Sequence, residues 1–197
     1  MDLLPVEVII AIARREHLIR SLKPNVTMDE ALRAFRAPGP SSLYWRLRIG
    51  RLQKIGDAYV PFRLYRLRYL MNKEKVERIF AMDAVDGALD LFEFRMPPQE
   101  GEMVTVQTRN CLPGSLTEEQ ALKILREKVL RIVFQQGFFK LRTASLETEA
   151  LAGEIHLPYW LAFYGTNNRL RCRVMDAVRR RLEGAKASTF FEQWLAA

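Results

Sequence analysis

The chain has 197 residues, of which 49% are hydrophobic and 27% are charged, a composition typical of a folded globular protein. Its start carries no basic segment of the kind that opens a secretion signal, and its apolar stretches are too short to span a bilayer. We therefore expect a cytoplasmic protein with no membrane span. Two cysteines and two histidines are too few for a disulfide framework or a histidine-rich metal site, so we predict no metal and no cofactor.

The first predicted element is a helix over residues 5–21, because a proline suits a first helical turn and apolar residues follow at helical spacing. The β-branched run 8–10 keeps a strand as the alternative. A second helix is predicted from Thr27 to about residue 35, since Thr27 and Glu30 form a capping box.

Strands follow in the first half, recognised by alternation of apolar and polar residues. A phase slip predicts a bulge near Tyr65, and Asp86–Gly87 predicts a tight two-residue hairpin. The predicted strands cover residues 43–49, 59–69, 76–85 and 89–94.

The second half begins with a predicted bridging strand over residues 102–110. A long helix should run from Thr117 to about Gln136, because it combines a capping sequence with apolar residues at helical spacing. Thr189 and Glu192 predict a short tail helix whose aromatic residues dock on the body. The remaining predicted strands cover residues 138–148, 154–164 and 169–178.

Three landmarks occur twice in the same order: a capped helix, an apolar-Pro-aromatic phrase and the tetrapeptide MDAV. In the first copy they begin at Thr27, Tyr59 and Met82, and in the second at Thr117, His156 and Met175. The offsets of 90, 97 and 93 residues are nearly constant, which indicates an internal duplication.

The duplication predicts an α+β fold made of two tandem repeats, each with a helix packed on an antiparallel sheet of three to four strands. We place the first α+β repeat at residues 1–102 and the second, with a C-terminal helix, at residues 103–197. With its apolar-Pro-aromatic phrase and the Asp-Ala-Val-Asp-Gly turn at 83–87, the unit resembles PepSY-like and cystatin-like modules. This resemblance implies a binding or inhibitory module rather than an enzyme, and it supplies no catalytic residue.

Few residues offer chemistry. Asp83 and Asp176 occupy equivalent places, and paired carboxylates can serve acid–base catalysis, but an Asp at a strand end more often accepts hydrogen bonds from local amides. We expect that structural role for both, and a structural role for His17 and His156.

Aromatic residues flank the two repeated prolines. They are candidates for a ligand or partner surface, because a proline within a sheet indicates an edge or a bulge where a partner strand can add. The alternative, which we favour, is that the rings fill the core. The residues concerned are Tyr59, Phe62, Tyr159 and Trp160.

The net charge of +8 is concentrated between Leu43 and Arg78, where ten basic residues face only three acidic ones. Alternation places Arg46 and Arg48 on one side of a strand, and we expect Arg66 and Arg68 to share that face from the next strand. This arrangement is typical of an anion-binding or nucleic-acid-binding sheet, although solvated basic residues on an open sheet face are the simpler interpretation. 

The sequence therefore favours a non-enzymatic interaction or binding module whose partner is an unknown protein or peptide. The first alternative is a protein that binds nucleic acid or another polyanion through the basic face. The second is an enzyme with a cleft between the two repeats. The pattern leaves the oligomeric state open.

Overall fold

A computed structural model describes residues 16–37, 47, 49–71, 74–135, 146–166 and 169–196. These residues include eight strands and three α-helices, together with one 3-10 turn at Glu100–Glu102. The strands are β1 (His17–Leu22), β2 (Leu52–Met71), β3 (Glu74–Asp83), β4 (Phe92–Phe94), β5 (Met103–Thr108), β6 (Glu147–Thr166), β7 (Arg169–Asp176) and β8 (Arg181–Leu182). The helices are α1 (Met28–Arg36), α2 (Glu118–Gln135) and α3 (Ala185–Ala196).

All eight strands join one curled mixed sheet in the order β4-β3-β2-β6-β1-β5, with β7 and β8 added beside β6. The two long strands β2 and β6 come from different halves of the chain, yet they pair antiparallel from Leu52↔Tyr164 to Arg68↔Glu147. The predicted fold class of two separate helix-on-sheet repeats is therefore wrong. The duplicated halves share one sheet because their longest strands hydrogen-bond to each other. The repeat boundary at residue 102 stays a prediction.

Each of the first two helices packs against strands from the other half of the chain. Helix α1 buries Ala31 and Phe35, four positions apart, against Tyr164 of β6 and Met175 of β7. Helix α2 buries Ala121, Leu125 and Val129 at the same spacing against Tyr65, Leu67, Phe80 and Met82 of β2 and β3. The helix of one copy thus covers the hairpin of the other.

The register of the sheet reveals an approximate two-fold axis between the copies. Tyr59 pairs with Pro158, and the equivalent exchange pairs Pro61 with His156. The central pair of this register is Val60 and Leu157, where the axis passes. Sequence positions that match in the repeat therefore occupy matching positions in the sheet.

The β2–β3 hairpin and the β6–β7 hairpin are related by the same two-fold axis. Phe62 pairs with Asp83 between β2 and β3, and Tyr159 pairs with Asp176 between β6 and β7. The amide of Ala84 donates to the Pro61 carbonyl at 2.8 Å, and the amide of Ala177 donates to the Pro158 carbonyl at 3.1 Å. 

The repeated prolines lie in the middle of the sheet, so they do not mark an edge. On the outer side of β2, the amide of Tyr59 donates to Asn110 and its carbonyl accepts from Leu112. Two residues later, Pro61 accepts from Ala84 on that same side. Pro61 therefore lies between the stretch of β2 that bonds to residues 110–112 and the stretch that bonds to β3. Because proline has no N–H, no backbone donor is left unsatisfied at this point.

A central core fills one side of β2 and β6, and helix α3 closes it. The sheet contributes Ala58, Val60, Phe62, Ile155, Leu157, Tyr159 and Leu161, and α3 contributes Phe190 and Phe191. The sequence predicted that the tail helix docks on the body. Its start is wrong, however, because α3 begins at Ala185 rather than Thr189.

Several local predictions are confirmed. The capping box of α1 is present, with Glu30 Oε2 accepting from the Thr27 amide at 2.8 Å and Thr27 Oγ1 accepting from the Glu30 amide at 3.3 Å. Helix α2 lies within the predicted range. The bulge near Tyr65 is seen as a shift of register between Arg63 and Tyr65. These features depend on neighbouring residues, which the sequence displays directly.

Other local predictions are wrong. The predicted helix over 5–21 overlaps strand β1, because residues 17–22 pair with all of β5. The tight hairpin at 86–87 is absent: Ala81 pairs with Phe92, so a wider turn separates β3 from β4. Residues 1–15, most of the predicted strand at 43–49 and most of that at 138–148 lie outside the described residues. None of the helices described above has the length and apolar character that crossing a bilayer requires.

Candidate functional site

The four candidate aromatic residues do not gather on one exposed surface. Phe62 is fully buried in the central core, and Tyr159 is 5% exposed there. Trp160 lies on the other side of the sheet, half-buried, where its Nε1 donates to the Val26 carbonyl at 2.9 Å. Tyr59 is half-buried beside Asp57, and burial raises its pKa to about 12. Their use as a ligand or partner surface stays a prediction, except that Tyr159 reaches the pocket described below.

The described part of the candidate basic face carries its own counter-ions. Arg66 lies 3.2 Å from Glu77 and 3.1 Å from Glu149, and Arg68 lies 2.8 Å and 3.3 Å from the same two carboxylates. The two guanidinium groups therefore share a face, and two acidic residues balance their charge. Arg46 and Arg48 lie outside the described residues, so the full nucleic-acid face stays a prediction.

Asp83 and Asp176 each organise the turn that follows their strand. Asp83 Oδ1 accepts from the amides of Asp86 at 3.1 Å and Gly87 at 2.8 Å, and its Oδ2 accepts from Leu89 at 3.0 Å. The backbone of Gly87 has φ +68°, and a Cβ there would meet Ile124 at 2.9 Å, so glycine is required.

In the second copy, Asp176 Oδ1 accepts from the amides of Val178 and Arg179, both at 2.8 Å. Its Oδ2 has no hydrogen bond and lies 3.7 Å from Nε of Arg179. Both aspartates therefore bind local amides, as the sequence analysis expected. Burial raises the pKa of each.

The other reactive residue types are not activated. His156 donates from Nδ1 to the Arg20 carbonyl at 3.2 Å, and burial lowers its pKa. Burial raises the pKa of Cys111 to about 11 and that of Cys172 still further, so neither thiol is a ready nucleophile. Within the described ranges, no group of three or more His, Cys, Asp or Glu side chains is placed to hold a metal ion.

One pocket, which we call the charged pocket, lies between the two halves of the chain and has a volume of about 160 Å³. It lies between the turn after β3, the middle of β6, the turn after β7 and the first turn of α3. Its lining residues are Leu89, Asp90, Tyr159, Arg179, Glu183, Gly184, Ala185, Lys186 and Ala187.

Tyr159 lines this pocket with a side chain that is 5% exposed. Its ring packs on Phe191 with centroids 5.3 Å apart, and its hydroxyl makes no hydrogen bond to a described residue. Burial, followed by the nearby charge of Asp176, raises the pKa of the phenol well above its ordinary value of 10.0. The group is therefore a neutral hydrogen-bond donor throughout the physiological pH range.

Arg179 is held in place on one wall of the charged pocket. Its Nη2 donates to the Leu91 carbonyl at 2.7 Å, and its guanidinium carbon lies 4.0 Å from the centroid of the Phe92 ring. These contacts fix the position of the cation without neutralising it, whereas Asp176 supplies a counter-charge at 3.7 Å. 

Further charges lie in and near the pocket. The lining residue Lys186 and the neighbouring Arg181 each lie 3.9 Å from a carboxylate oxygen of Asp90, and Arg181 pairs with Glu183 at 3.0 Å. Lys128 of α2 donates to the carbonyl of Leu89, which also lines the pocket. Burial and then the neighbouring Lys186 lower the pKa of Lys128. 

Sequence reasoning missed most of this site. It named Tyr159 as a candidate but not Asp90, Arg179, Glu183 or Lys186, which lie in the parts of the two copies that do not match. The available signal was that Arg179-Arg180-Arg181 in the second copy stands where the first copy has Asp86–Gly87. That difference indicates that the turn after β7 is not a copy of the turn after β3.

Asp176 gives a test of pH dependence. Its raised pKa means that folding favours the neutral acid, so its contribution to stability is full below the ordinary pKa of 3.8 and is lost as pH rises through the folded value. Asp176→Asn keeps the Oδ1 acceptor but cannot ionise. We expect the free energy of unfolding of Asp176→Asn to improve relative to wild type between about pH 4 and about pH 7. Urea unfolding at both pH values measures this.

The exposed Asp29 provides the control as Asp29→Asn. A difference between Asp176→Asn and wild type that stays constant or shrinks as pH rises would contradict the assignment.

Comparison with known proteins adds no relative: no protein-family model matches the chain, and no curated protein or solved structure is significantly similar to it. The resemblance to PepSY-like and cystatin-like modules accordingly stays an expectation.

Proposed function

We propose that this protein is a non-enzymatic binding module that holds a small polar ligand in the charged pocket. The observation that carries the proposal is Tyr159, whose side chain is 5% exposed, lines the pocket and has a hydroxyl that makes no hydrogen bond to a described residue. An acceptor atom of a ligand in the pocket would give this donor a hydrogen bond, which contributes about 1.5–3 kcal/mol when the acceptor is charged. 

The groups that line the pocket suit binding better than catalysis. No serine, cysteine or histidine is among them, and their polar side chains are two acids, two cations and one phenol. The phenol has a raised pKa, so it is a poor proton acceptor at neutral pH. The pocket lies between residues of the two halves of the chain, and the groups that line it favour recognition over catalysis.

The rest of the proposal concerns partners and location. We keep an additional protein or peptide partner open, and we keep nucleic acid as an alternative that depends on Arg46 and Arg48 rather than on the ion-paired Arg66 and Arg68. A cytoplasmic location is supported by two free thiols, Cys111 and Cys172, which fit a reducing compartment.

The test is a screen for ligands by amide NMR with ¹⁵N-labelled protein. The probes are small carboxylates, phosphates, amines and neutral sugars, each added separately. We expect at least one class to shift the amide signals of Ala185, Lys186 and Ala187. Tyr159→Phe should weaken that response and leave stability nearly unchanged, because the hydroxyl makes no hydrogen bond within the described structure.

Tyr164→Phe is the matched control. The Tyr164 hydroxyl donates to the Phe35 carbonyl at 3.0 Å, away from the charged pocket. Its removal should therefore lower stability by about 1 kcal/mol while leaving the NMR response intact. If no probe shifts these amides, or if Tyr159→Phe responds as wild type does, the proposed function is wrong.

A further inference from the structure

We infer that the group recognised in the charged pocket is a small oxyanion, a phosphate or a carboxylate, held between the first turn of α3 and the Tyr159 hydroxyl. This inference rests on the proposed function and adds the chemical class of the ligand. Three features of the pocket support it: the helix start, the charge of Lys186 within that first turn, and the phenol of Tyr159, which belongs to a different element.

The first turn of α3 lines the pocket and begins with amides that have no acceptor within the helix. The amide of Ser188 donates to the Gly184 carbonyl at 3.3 Å, so the amides of Ala185, Lys186 and Ala187 precede the first helical hydrogen bond. Gly184 has no side chain with which to cap them, and the first turn contains no acidic residue. A helix start carries partial positive charge and binds anions through such amides.

The other two α-helices show how this chain caps a helix start internally. Thr27 Oγ1 accepts from the Glu30 amide of α1 at 3.3 Å, and Thr117 Oγ1 accepts from the Gln120 amide of α2 at 3.3 Å. Helix α3 has Gly184 where α1 and α2 have a capping threonine, and residues Gly184–Ala187 line the charged pocket. An oxyanion would supply the missing acceptor.

Tyr159 is the observation independent of the helix. Its side chain is more than nine-tenths buried, it lines the same pocket, and its hydroxyl is a donor that has no acceptor among the residues the structure describes. An oxyanion at the helix start offers that acceptor, since each of its oxygens has lone pairs for more than one donor. Amides and phenol would then bind the same group from two sides.

The charges complete the fit. Lys186 Nζ lies 3.9 Å from its nearest acidic partner, Asp90, which is beyond hydrogen-bond distance, and Arg179 adds a fixed cation. Glu183 is already paired with Arg181, and the Asp90 side chain is 66% exposed and able to turn toward water. The volume of about 160 Å³ is smaller than the roughly 300 Å³ at which drug-sized sites begin, so one small anionic group fits better than a nucleotide.

Inorganic phosphate and acetate are the two probes, titrated separately into ¹⁵N-labelled protein with chloride adjusted to hold the ionic strength constant. We expect saturable shifts of the amides of Ala185–Ala187 with one or both. The stronger probe identifies phosphate or carboxylate as the source of the oxyanion. Tyr159→Phe and Lys186→Gln should each weaken binding by about tenfold, the loss typical of one hydrogen bond to a charged group.

Lys123→Gln is the control, because Lys123 is an exposed lysine of α2 that does not line the charged pocket. It should bind both probes as wild type does. Absence of saturable shifts with either probe, or equal affinities in Tyr159→Phe, Lys186→Gln and wild type, would overturn the inference. If an amine or a sugar shifted the same amides in that case, only the oxyanion inference would fail; if no probe did, the proposed function would fail with it.

Discussion

Cut between Met96 and Pro97, the chain is expected to give two fragments that do not fold as monomers and that regain structure when mixed. Met96 is 69% exposed in the turn after β4, so the cut itself removes no core contact. Separation, in contrast, removes β6 from β2 and leaves the buried side of each helix without its cover. Circular dichroism and size-exclusion chromatography of each fragment, and of the mixture, measure the result.

A protease site inserted at the same turn provides the control. The nicked protein should elute as one particle with a melting temperature close to that of the intact chain. Cooperative thermal unfolding of either fragment as a monomer would show that one half folds alone, and the shared sheet would then not be required for folding.

Phe191→Ala is expected to destabilise the protein by about 3–5 kcal/mol. The ring is fully buried, and it contacts the rings of Tyr159 at 5.3 Å, Phe190 at 5.1 Å and Trp194 at 6.5 Å between centroids. Its loss would leave a cavity at the closure of the central core. For a chain of this size the melting temperature should fall by roughly 10 °C.

Gln193→Ala is the matched control on the same helix, because Gln193 is exposed and alanine favours helix. Its melting temperature should stay within a few degrees of wild type. If Phe191→Ala had the same melting temperature as Gln193→Ala, helix α3 would be an addition to the fold and would not cover its core.

The features that could be predicted from the sequence are those decided within a few residues. The capping box at Thr27 and the bulge near Tyr65 were found because hydroxyl, carboxylate and side-chain alternation act locally. The prediction of a tight hairpin at Asp86–Gly87 was wrong because the Asp83 carboxylate accepts hydrogen bonds from the amides of Asp86, Gly87 and Leu89 and so stabilises a wider turn. The sequence pair Asp-Gly does not show that a buried carboxylate three residues earlier binds the turn.

Partner choice between distant segments could not be predicted in the same way. Strand β6 lies about a hundred residues after β2, and alternation in either strand shows which residues are buried but not which strand lies beside it. The repeat correctly matched Pro61 with Pro158, yet a match between copies is equally compatible with separate sheets. The site was missed for a related reason: Arg179 and Lys186 belong to the unmatched ends of the copies, where the repeat carries no information.

The packing of each helix on the hairpin of the other copy is the arrangement expected of a two-fold dimer. Two identical chains of half this length, related by a two-fold axis at Val60 and Leu157 and each covering its partner's hairpin with its own helix, would give this arrangement once a single gene encoded both. In such a dimer the two ends of each chain would be alike. In this chain they differ, because the first copy has the turn at Asp90 and the second has Arg179 and α3. The charged pocket lies where these two unmatched ends meet, so a symmetric pair of ends would not form it.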